Sequence, residues 1–192
     1  LPQPELRAGL AEVVKSAAIA DSKFLSWLER STDLLLERNS GALEHAIGRC
    51  LAIKGKVVSR DERETGRRAV LNFGHTLAHA IETASAYSIR HGHAVAIGMV
   101  IEADLAAATA GFPTRHARRI ERLLEAFGLP VAWPEGIDPD RVVEATRRDK
   151  KARAGRARYA LPERIGRMRS GDEVTVELDE EILVRVITER SK

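Results

Sequence analysis

Residues 67–93 restrict the possible folds of this chain more than any other stretch, because they combine an apolar stripe with a polar one. Residues 67–83 predict a single helix. Its apolar stripe, which must face a core, consists of Val70, Phe73, Leu77 and Ile81. The neighbouring polar stripe has the same helical spacing and consists of Arg68, Asn72, His75 and His79. A helix seated by its apolar stripe therefore presents the polar one to a neighbouring cleft.

A third histidine, His91, follows this predicted helix and opens a second apolar run, Ala94–Leu105. The run predicts another helix, which extends to Ala110 and begins close to His91. His93 would point away from His91 in a helix, so we leave it out of the candidate site.

Two histidines and a carboxylate are the minimum set for a catalytic Zn²⁺ or a similar divalent ion. Any one of these histidines, taken alone, is more often a helix cap or a satisfied core residue. Three of the chain's six histidines nevertheless converge here with an amide and a guanidinium. This convergence favours a metal site, although the pattern itself does not identify the carboxylate.

The composition is typical of a helical protein. Alanine, leucine, arginine and glutamate dominate the 192 residues, and only 4% are aromatic. The length and the 44% hydrophobic content allow one large domain or two small ones. The sequence has neither a G-x-G-x-x-G motif nor a Walker motif, so a nucleotide cofactor would need another segment to hold it.

The single cysteine, Cys50, excludes an internal disulfide and a cysteine-rich zinc module, and it fits a reducing compartment. We find no apolar run that approaches a membrane span and no signal-peptide layout in Leu1–Leu10. We therefore expect a cytoplasmic protein without a membrane partner.

The net charge of +3 comes from 31 basic residues interspersed with 28 acidic ones. Mixed charge of this kind is usually a solvated surface, and no aromatic residues are interleaved to stack on bases. We therefore expect no nucleic-acid partner. Basic side chains that point inward would suit a phosphorylated or carboxylated small molecule.

Helix signals divide the first part of the chain. We predict a first helix from near Glu5, and a second one that Asp21 caps and that runs through Leu34–Leu36. A third helix is predicted from Ser40 or Gly41, with Lys54 near its end. Glu12 and Lys15 lie one turn apart in the first helix, where an exposed ion pair is the ordinary interpretation.

The later part of the chain predicts three shorter helices and a small β element. The helices are one that Thr114 caps and that ends at Gly128, one from Asp138-Pro139 to Arg148, and a closing helix capped by Asp179. Residues 173–178 alternate like a strand, so we expect a small hairpin near the C-terminus.

At LNFGHTLAHAIE, followed by HGHAVAIGM, the chain resembles the 3-dehydroquinate synthase family, specifically its C-terminal, mainly helical domain. The resemblance extends from LPQPELRAGLAEVVK through KGKVVSRDERETGRRAVLNFGHT to RDKKARAGRARYALPERIG. It implies that residues 1–192 form one mainly α, multi-helix domain. It also implies that the N-terminal, NAD-binding α/β domain is absent from this chain. The beginning at Leu1–Gly9, without Met, separately predicts a fragment or a cut at a domain boundary.

The resemblance implies a set of site residues. The expected ligands of a Zn²⁺ or Co²⁺ ion are Glu12, His75 and His91. The expected substrate-binding residues are Lys15, Lys54, Arg68, Asn72, His79 and Lys150, and among them Lys15, Asn72 and His79 are the expected catalytic ones. The roles implied by the resemblance replace the interpretation of Glu12 and Lys15 as an exposed ion pair.

The family converts 3-deoxy-D-arabino-heptulosonate 7-phosphate into 3-dehydroquinate and phosphate in the shikimate pathway, which leads to the aromatic amino acids. The chemistry needs NAD⁺, which the N-terminal domain mainly binds and which oxidises one substrate hydroxyl transiently. The chain alone is therefore expected to be inactive without the NAD-binding domain. The resemblance also implies that the enzyme is a homodimer.

Two positions depart from the family pattern, and several alternatives stay open. Pro4 replaces a usual arginine, and His93 replaces a usual glutamate. Related sugar-phosphate cyclases that make inosose or valiolone products share the metal motif. Metal-dependent alcohol or glycerol dehydrogenases share the helical domain, but they usually lack the Lys15 and Arg68/Asn72 positions. A non-catalytic interaction module is a further alternative, whereas a His-Asp phosphohydrolase lacks its adjacent His-Asp pair here.

Overall fold

A computed structural model describes residues 1–61, 66–147, 157–169 and 174–192. Most of this part is helical, as predicted. The α-helices are α1 (Gln3–Ala20), α2 (Ser22–Arg30), α3 (Thr32–Leu36), α4 (Ser40–Ser59), α5 (His75–Ala84), α6 (His91–Thr109), α7 (Thr114–Ala126), α8 (Pro139–Arg147) and α9 (Glu180–Arg190). A 3₁₀ segment, Arg67–Asn72, precedes α5.

The small β element consists of short antiparallel pairs. In one pair, β1 (Arg158–Tyr159) lies beside β4 (Val176–Glu177). In the other, β2 (Pro162–Arg164) and β3 (Arg167–Met168) form a hairpin. A small hairpin near the C-terminus is therefore confirmed, although β2 and β3 form it; the alternating stretch at residues 173–178 contributes β4, which pairs with β1 instead.

Helix α6 lies at the centre of the fold and packs against α1, α5, α7 and α9. Almost every residue from Gly92 to Ala106 is buried. A helix that is covered on every side has to be apolar all round, which explains why this run carries no charged face. The remaining helices turn their apolar stripes toward α6 or toward each other, and they form one core cluster with it.

The apolar character of α6 corrects our expectation that no run approaches a membrane span. Its 19 residues are long enough to cross a bilayer and include an 18-residue window with a mean hydropathy of 1.2. However, 72% of that window is buried inside the protein. Its apolar surface is already covered by neighbouring helices, so α6 is a core helix.

The single helix predicted for residues 67–83 is wrong, because the chain turns at Gly74. This glycine has φ +82°, in the left-handed region that side-chain-bearing residues avoid, and it separates the 3₁₀ segment from α5. As a result, Arg68 and Asn72 lie in the 3₁₀ segment, whereas His75 is the first residue of α5. The periodicity identified a common face but could not locate the break.

Several predicted helix boundaries also shift. The second predicted helix is wrong as one unit, because it divides at Ser31 into α2 and α3. The Asp21 cap is confirmed: its carboxylate accepts hydrogen bonds from the backbone N–H groups of Lys23 and Phe24. Helix α4 continues beyond Lys54 to Ser59. Thr114 is the first residue of α7 rather than its cap.

A buried carboxylate from α6 caps the beginning of α5. Glu102 is 0% exposed, and it accepts hydrogen bonds from the N–H groups of Gly74 at 2.7 Å and Leu77 at 3.3 Å, and also from Thr76. Burial raises the pKa of Glu102 to about 8, although these three hydrogen bonds and the charge of Lys15 oppose the increase. Gly74 has no side chain with which to cap the helix, so the cap comes from the tertiary structure.

Helices α5 and α6 approach each other closely at Gly98. A Cβ atom added there would lie 2.1 Å from the carbonyl oxygen of Gly74, which no side chain can tolerate. At Gly48 in α4, by contrast, an added Cβ would meet nothing within 4 Å. A side chain is therefore excluded at Gly98, whereas Gly48 has room for one.

We expect Gly98→Ala to lower the free energy of unfolding by about 1–3 kcal/mol, because the helices must separate to admit the methyl group. Gly48→Ala is the matched control and should raise it by roughly 0.5–1 kcal/mol, since alanine favours a helix. Urea unfolding followed by circular dichroism measures both values. Equal effects of the two substitutions would contradict the close approach.

Glu102 predicts a pH-dependent stability. Its folded-state pKa of about 8 lies above its ordinary value of 4.5, so the folded state binds the proton more tightly. The resulting stabilisation is fully present below pH 4.5 and is lost as the pH rises through about 8. Glu102→Gln removes this titration, so wild type should lose stability relative to the variant between about pH 5 and pH 8. Urea unfolding at a series of pH values measures the free energy of unfolding of each protein. The prediction is wrong if the two free energies change with pH in the same way.

Candidate metal centre

Three helices each contribute one side chain to a compact cluster of metal-binding groups. Glu12 comes from the middle of α1, whereas His75 and His91 are the first residues of α5 and α6. Their ligand atoms all lie within 4.8 Å of one another. Glu12 Oε1 is 3.5 Å from His75 Nε2 and 4.0 Å from His91 Nε2. The structure therefore brings together the three residues that we predicted as metal ligands.

Lys15 holds the carboxylate of Glu12 through one oxygen. Its ammonium nitrogen lies 2.7 Å from Glu12 Oε2, and its side chain is only 8% exposed. Burial alone would raise the pKa of Glu12, but the charge and hydrogen bond of Lys15, with smaller contributions from His75 and His91, hold it below its ordinary value. The carboxylate is thus kept in its anionic, metal-binding form.

The environment of the second oxygen of Glu12, Oε1, fits a bound cation. Glu12 Oε1 is buried and has no hydrogen-bond partner in the part of the chain that the structure describes. A buried carboxylate oxygen without a partner is costly, and here it faces two imidazole nitrogens. One carboxylate oxygen and two imidazoles form a ligand set that suits Zn²⁺ or Co²⁺ and leaves positions for substrate oxygens.

His75 is oriented and kept neutral by its surroundings. Its Nδ1 lies 3.4 Å from the carbonyl oxygen of Phe73, so Nε2 is the nitrogen that faces Glu12. Burial and then the positive charge of Lys15 lower the pKa of His75 to about 4, although Glu12 acts in the opposite direction. A neutral imidazole is the form that binds a metal ion.

His91 is the most exposed of the three side chains and has a partner that the sequence analysis missed. Its Nδ1 lies 3.0 Å from Oε1 of Glu82, a residue near the end of α5. The signal was present in the sequence, because Glu82 lies two helical turns after His75. It could not be interpreted there, since the position of His91 relative to α5 depends on the intervening turn.

His79 lies beside the cluster rather than within it. Its ring centroid is 5.7 Å from that of His75 and 6.3 Å from that of His91. The ring centroids of His75 and His91 are 5.4 Å apart. The predicted convergence of the three histidines is therefore confirmed, whereas the predicted catalytic role of His79 stays a prediction.

A cavity of about 780 Å³ opens next to the cluster. Four of the predicted substrate-binding residues line it together with Glu12 and His75, and these four are Lys15, Lys54, Arg68 and Asn72. Part of the remaining lining is apolar and consists of Val13, Ile47, Cys50, Leu51 and Leu71. Three cationic side chains around one cavity form a suitable environment for an anionic small molecule.

Asp61 anchors the backbone that leads into this cavity, and it was not predicted. This buried carboxylate accepts hydrogen bonds from the backbone N–H of Arg68 at 2.8 Å and of Gly66 at 3.1 Å.

The predicted substrate residue Lys150 lies outside the described residues. The two departures from the family pattern, Pro4 and His93, are in the first turns of α1 and α6. Proline is tolerated in a first helical turn, where its missing N–H is not needed.

Residues 9–152 match the sequence model of a family described as 3-dehydroquinate synthase C-terminal. The chain belongs to this family. A curated 3-dehydroquinate synthase from Xylella fastidiosa (strain 9a5c) is 45% identical over 172 residues, which cover 86% of this chain and 44% of that protein. Across the curated relatives the chain spans about half of their length.

Solved structures with the same fold include two sugar-phosphate cyclases. A 2-deoxy-scyllo-inosose synthase in complex with carbaglucose-6-phosphate, NAD⁺ and Co²⁺ is 26% identical, with a TM-score of 0.84 over 98% of this chain and 52% of that one. A 2-epi-5-epi-valiolone synthase from Streptomyces hygroscopicus subsp. jinggangensis 5008, with NAD⁺ and Zn²⁺ bound, is 25% identical, with a TM-score of 0.82 over 99% of this chain and 53% of that one. The expected fold is thus confirmed, and the neighbours bind the cofactors that we expected for the family.

We expect the purified chain to bind about one Zn²⁺ or Co²⁺ per molecule, and a Glu12→Ala, His75→Ala double variant to lose this binding. Elemental analysis after dialysis gives the stoichiometry. Glu44→Ala, an exposed position on α4, is the control and should retain the ion. Stoichiometric metal in the double variant would show that other groups form the site.

Proposed function

We propose that this chain supplies the metal site and much of the substrate site of a 3-dehydroquinate synthase. The reaction converts 3-deoxy-D-arabino-heptulosonate 7-phosphate into 3-dehydroquinate and phosphate. The main support is the cluster of Glu12, His75 and His91 beside a cation-lined cavity. Membership of the family and 45% identity to a curated 3-dehydroquinate synthase favour this reaction.

Glu12, His75 and His91 would hold the divalent ion in this proposal. Such an ion would supply Lewis acidity, which would lower the pKa of the substrate hydroxyl to be oxidised and polarise the resulting ketone. Lys15 keeps Glu12 anionic and retains two further N–H donors. These donors can bind a substrate oxygen at the same end of the cavity.

The remaining predicted residues would hold and orient the substrate. Lys54 and Arg68 line the cavity and provide positive charge for the carboxylate and phosphate of the substrate. The amide of Asn72 can both donate to and accept from substrate hydroxyls. His79 is proposed to pass protons, since it lies beside the ligand imidazoles. Lys150 stays a predicted substrate residue.

The proposed reaction needs NAD⁺, which we assign to an N-terminal domain of the longer protein. The chain spans about half the length of its curated relatives, and its sequence has no dinucleotide-binding motif. We therefore propose that the chain is inactive by itself. A cytoplasmic location and a homodimer remain predictions, the first favoured by the single cysteine.

A related sugar-phosphate cyclase is the second candidate function. The inosose and valiolone synthases share the fold with TM-scores of 0.84 and 0.82, and both were solved with NAD⁺ and a divalent ion. Their identities of 26% and 25% are much lower than the 45% to the curated 3-dehydroquinate synthase. Such enzymes can differ by few pocket residues, so product analysis has to separate them.

We expect the chain alone, supplied with the heptulosonate phosphate, NAD⁺ and Zn²⁺, to release no phosphate. Joined to the N-terminal half of the Xylella relative, it should release phosphate and form 3-dehydroquinate, identified by mass spectrometry. The same fusion with His75→Ala should be inactive, because one expected metal ligand is missing.

Release of phosphate by the chain alone would contradict the need for an NAD-binding domain. A fusion that ignores the heptulosonate phosphate but cyclises a rival sugar phosphate would replace the proposed reaction with that of the second candidate.

A further inference from the structure

The three expected ligands are held in different ways. Glu12 is paired with Lys15 at 2.7 Å, and His75 is mostly buried with its Nδ1 near the carbonyl oxygen of Phe73. The side chain of His91, in contrast, is 52% exposed at the first position of α6. A half-exposed imidazole at a helix start has rotameric freedom unless a specific contact removes it.

Glu82 provides such a contact on the side of the ring away from the cluster. Its Oε1 lies 3.0 Å from His91 Nδ1, whereas the other ring nitrogen, Nε2, faces Glu12 Oε1 at 4.0 Å. A carboxylate accepts hydrogen bonds, so Nδ1 carries the proton and donates it. The lone pair of a neutral ring is then on Nε2, directed toward the cluster.

Glu82 can perform this task because it is fixed itself. Its side chain is only 12% exposed, and its backbone carbonyl accepts hydrogen bonds from Ser85 Oγ at 3.0 Å and from the N–H of Tyr87 at 2.7 Å. Ala86 and Tyr87 adopt left-handed conformations, with φ +50° and +61°. This turn reverses the chain and brings the beginning of α6 back beside the end of α5.

We propose that Glu82 is a positioning residue for the metal centre: its carboxylate accepts the Nδ1 proton of His91 and thereby fixes the tautomer and the direction of Nε2. The inference deepens the proposed function and depends on its metal site. Partners of this kind behind a ligating histidine contribute about 10–100-fold to metal affinity. Glu82 does not contact the ion in this arrangement, because it lies behind the ring.

Zinc titration in competition with a chromophoric chelator tests the inference on the 192-residue chain. Glu82→Ala should weaken Zn²⁺ binding by about 10–100-fold. Glu82→Gln should retain more of the affinity, because its amide oxygen can still accept the Nδ1 proton. Glu5→Ala is the matched control: Glu5 pairs with Arg90, the neighbour of His91, at 3.2 Å, and its loss should leave the affinity within about twofold.

Nitrogen NMR of the metal-free chain gives a second readout that does not depend on zinc. His91 should carry its proton on Nδ1 in wild type and in Glu82→Gln, and it should become a mixture of tautomers in Glu82→Ala. Circular dichroism establishes that each variant is folded. If Glu82→Ala does not fold, Glu82→Gln and the wild-type tautomer decide the question.

Equal zinc affinity of wild type and folded Glu82→Ala would overturn the inference, as would a wild-type His91 protonated on Nε2. Failure of wild type itself to bind zinc would instead overturn the proposed metal site. The two failures are therefore distinguishable. A purely structural role of Glu82 would lower the unfolding temperature of the variants and leave the tautomer and the affinity unchanged.

Discussion

The arrangement of the metal centre depends on the backbone hydrogen bonds that the buried carboxylate of Glu102 accepts. It crosses from α6 to the first N–H groups of α5, where Gly74 leaves the helix without a cap of its own. Burying a carboxylate is costly, and three backbone donors offset part of that cost. The contact fixes the beginning of α5 against α6, and the first residues of these two helices are His75 and His91.

The centre is assembled from three separate elements, so no single local segment could form it. Gly98 allows α5 and α6 to touch, and nearer the beginning of α6 a Cβ on Gly92 would lie 2.4 Å from the carbonyl oxygen of Ala8 in α1. These two contacts bring the three ligand-bearing helices within reach of one another. Each ligand is then oriented from outside the cluster, by Lys15, by the Phe73 carbonyl or by Glu82.

The same fold occurs in enzymes that are named for different products, an inosose in one and a valiolone in the other. The two solved cyclases match nearly the whole chain in fold at about a quarter of identical residues. A shared fold therefore says little about which substrate is used, and specificity depends on the side chains that line the cavity. Here those side chains include three cations and one amide beside the candidate metal ligands.

The sequence by itself determined the helical class, the convergence of three histidines and, through its family motifs, the identity of all three candidate ligands. Periodicity sufficed for the helical class and for the shared face of His75 and His79, because an amphipathic helix repeats its faces at fixed spacing. The ligand set, including Glu12, followed only from the family motifs. Only the tertiary structure decided that the chain breaks at Gly74, that Glu102 caps α5 and that Glu82 stands behind His91. These features join residues that are 9 to 28 positions apart. They depend on how close two helices approach and how a turn reverses, which local spacing does not encode.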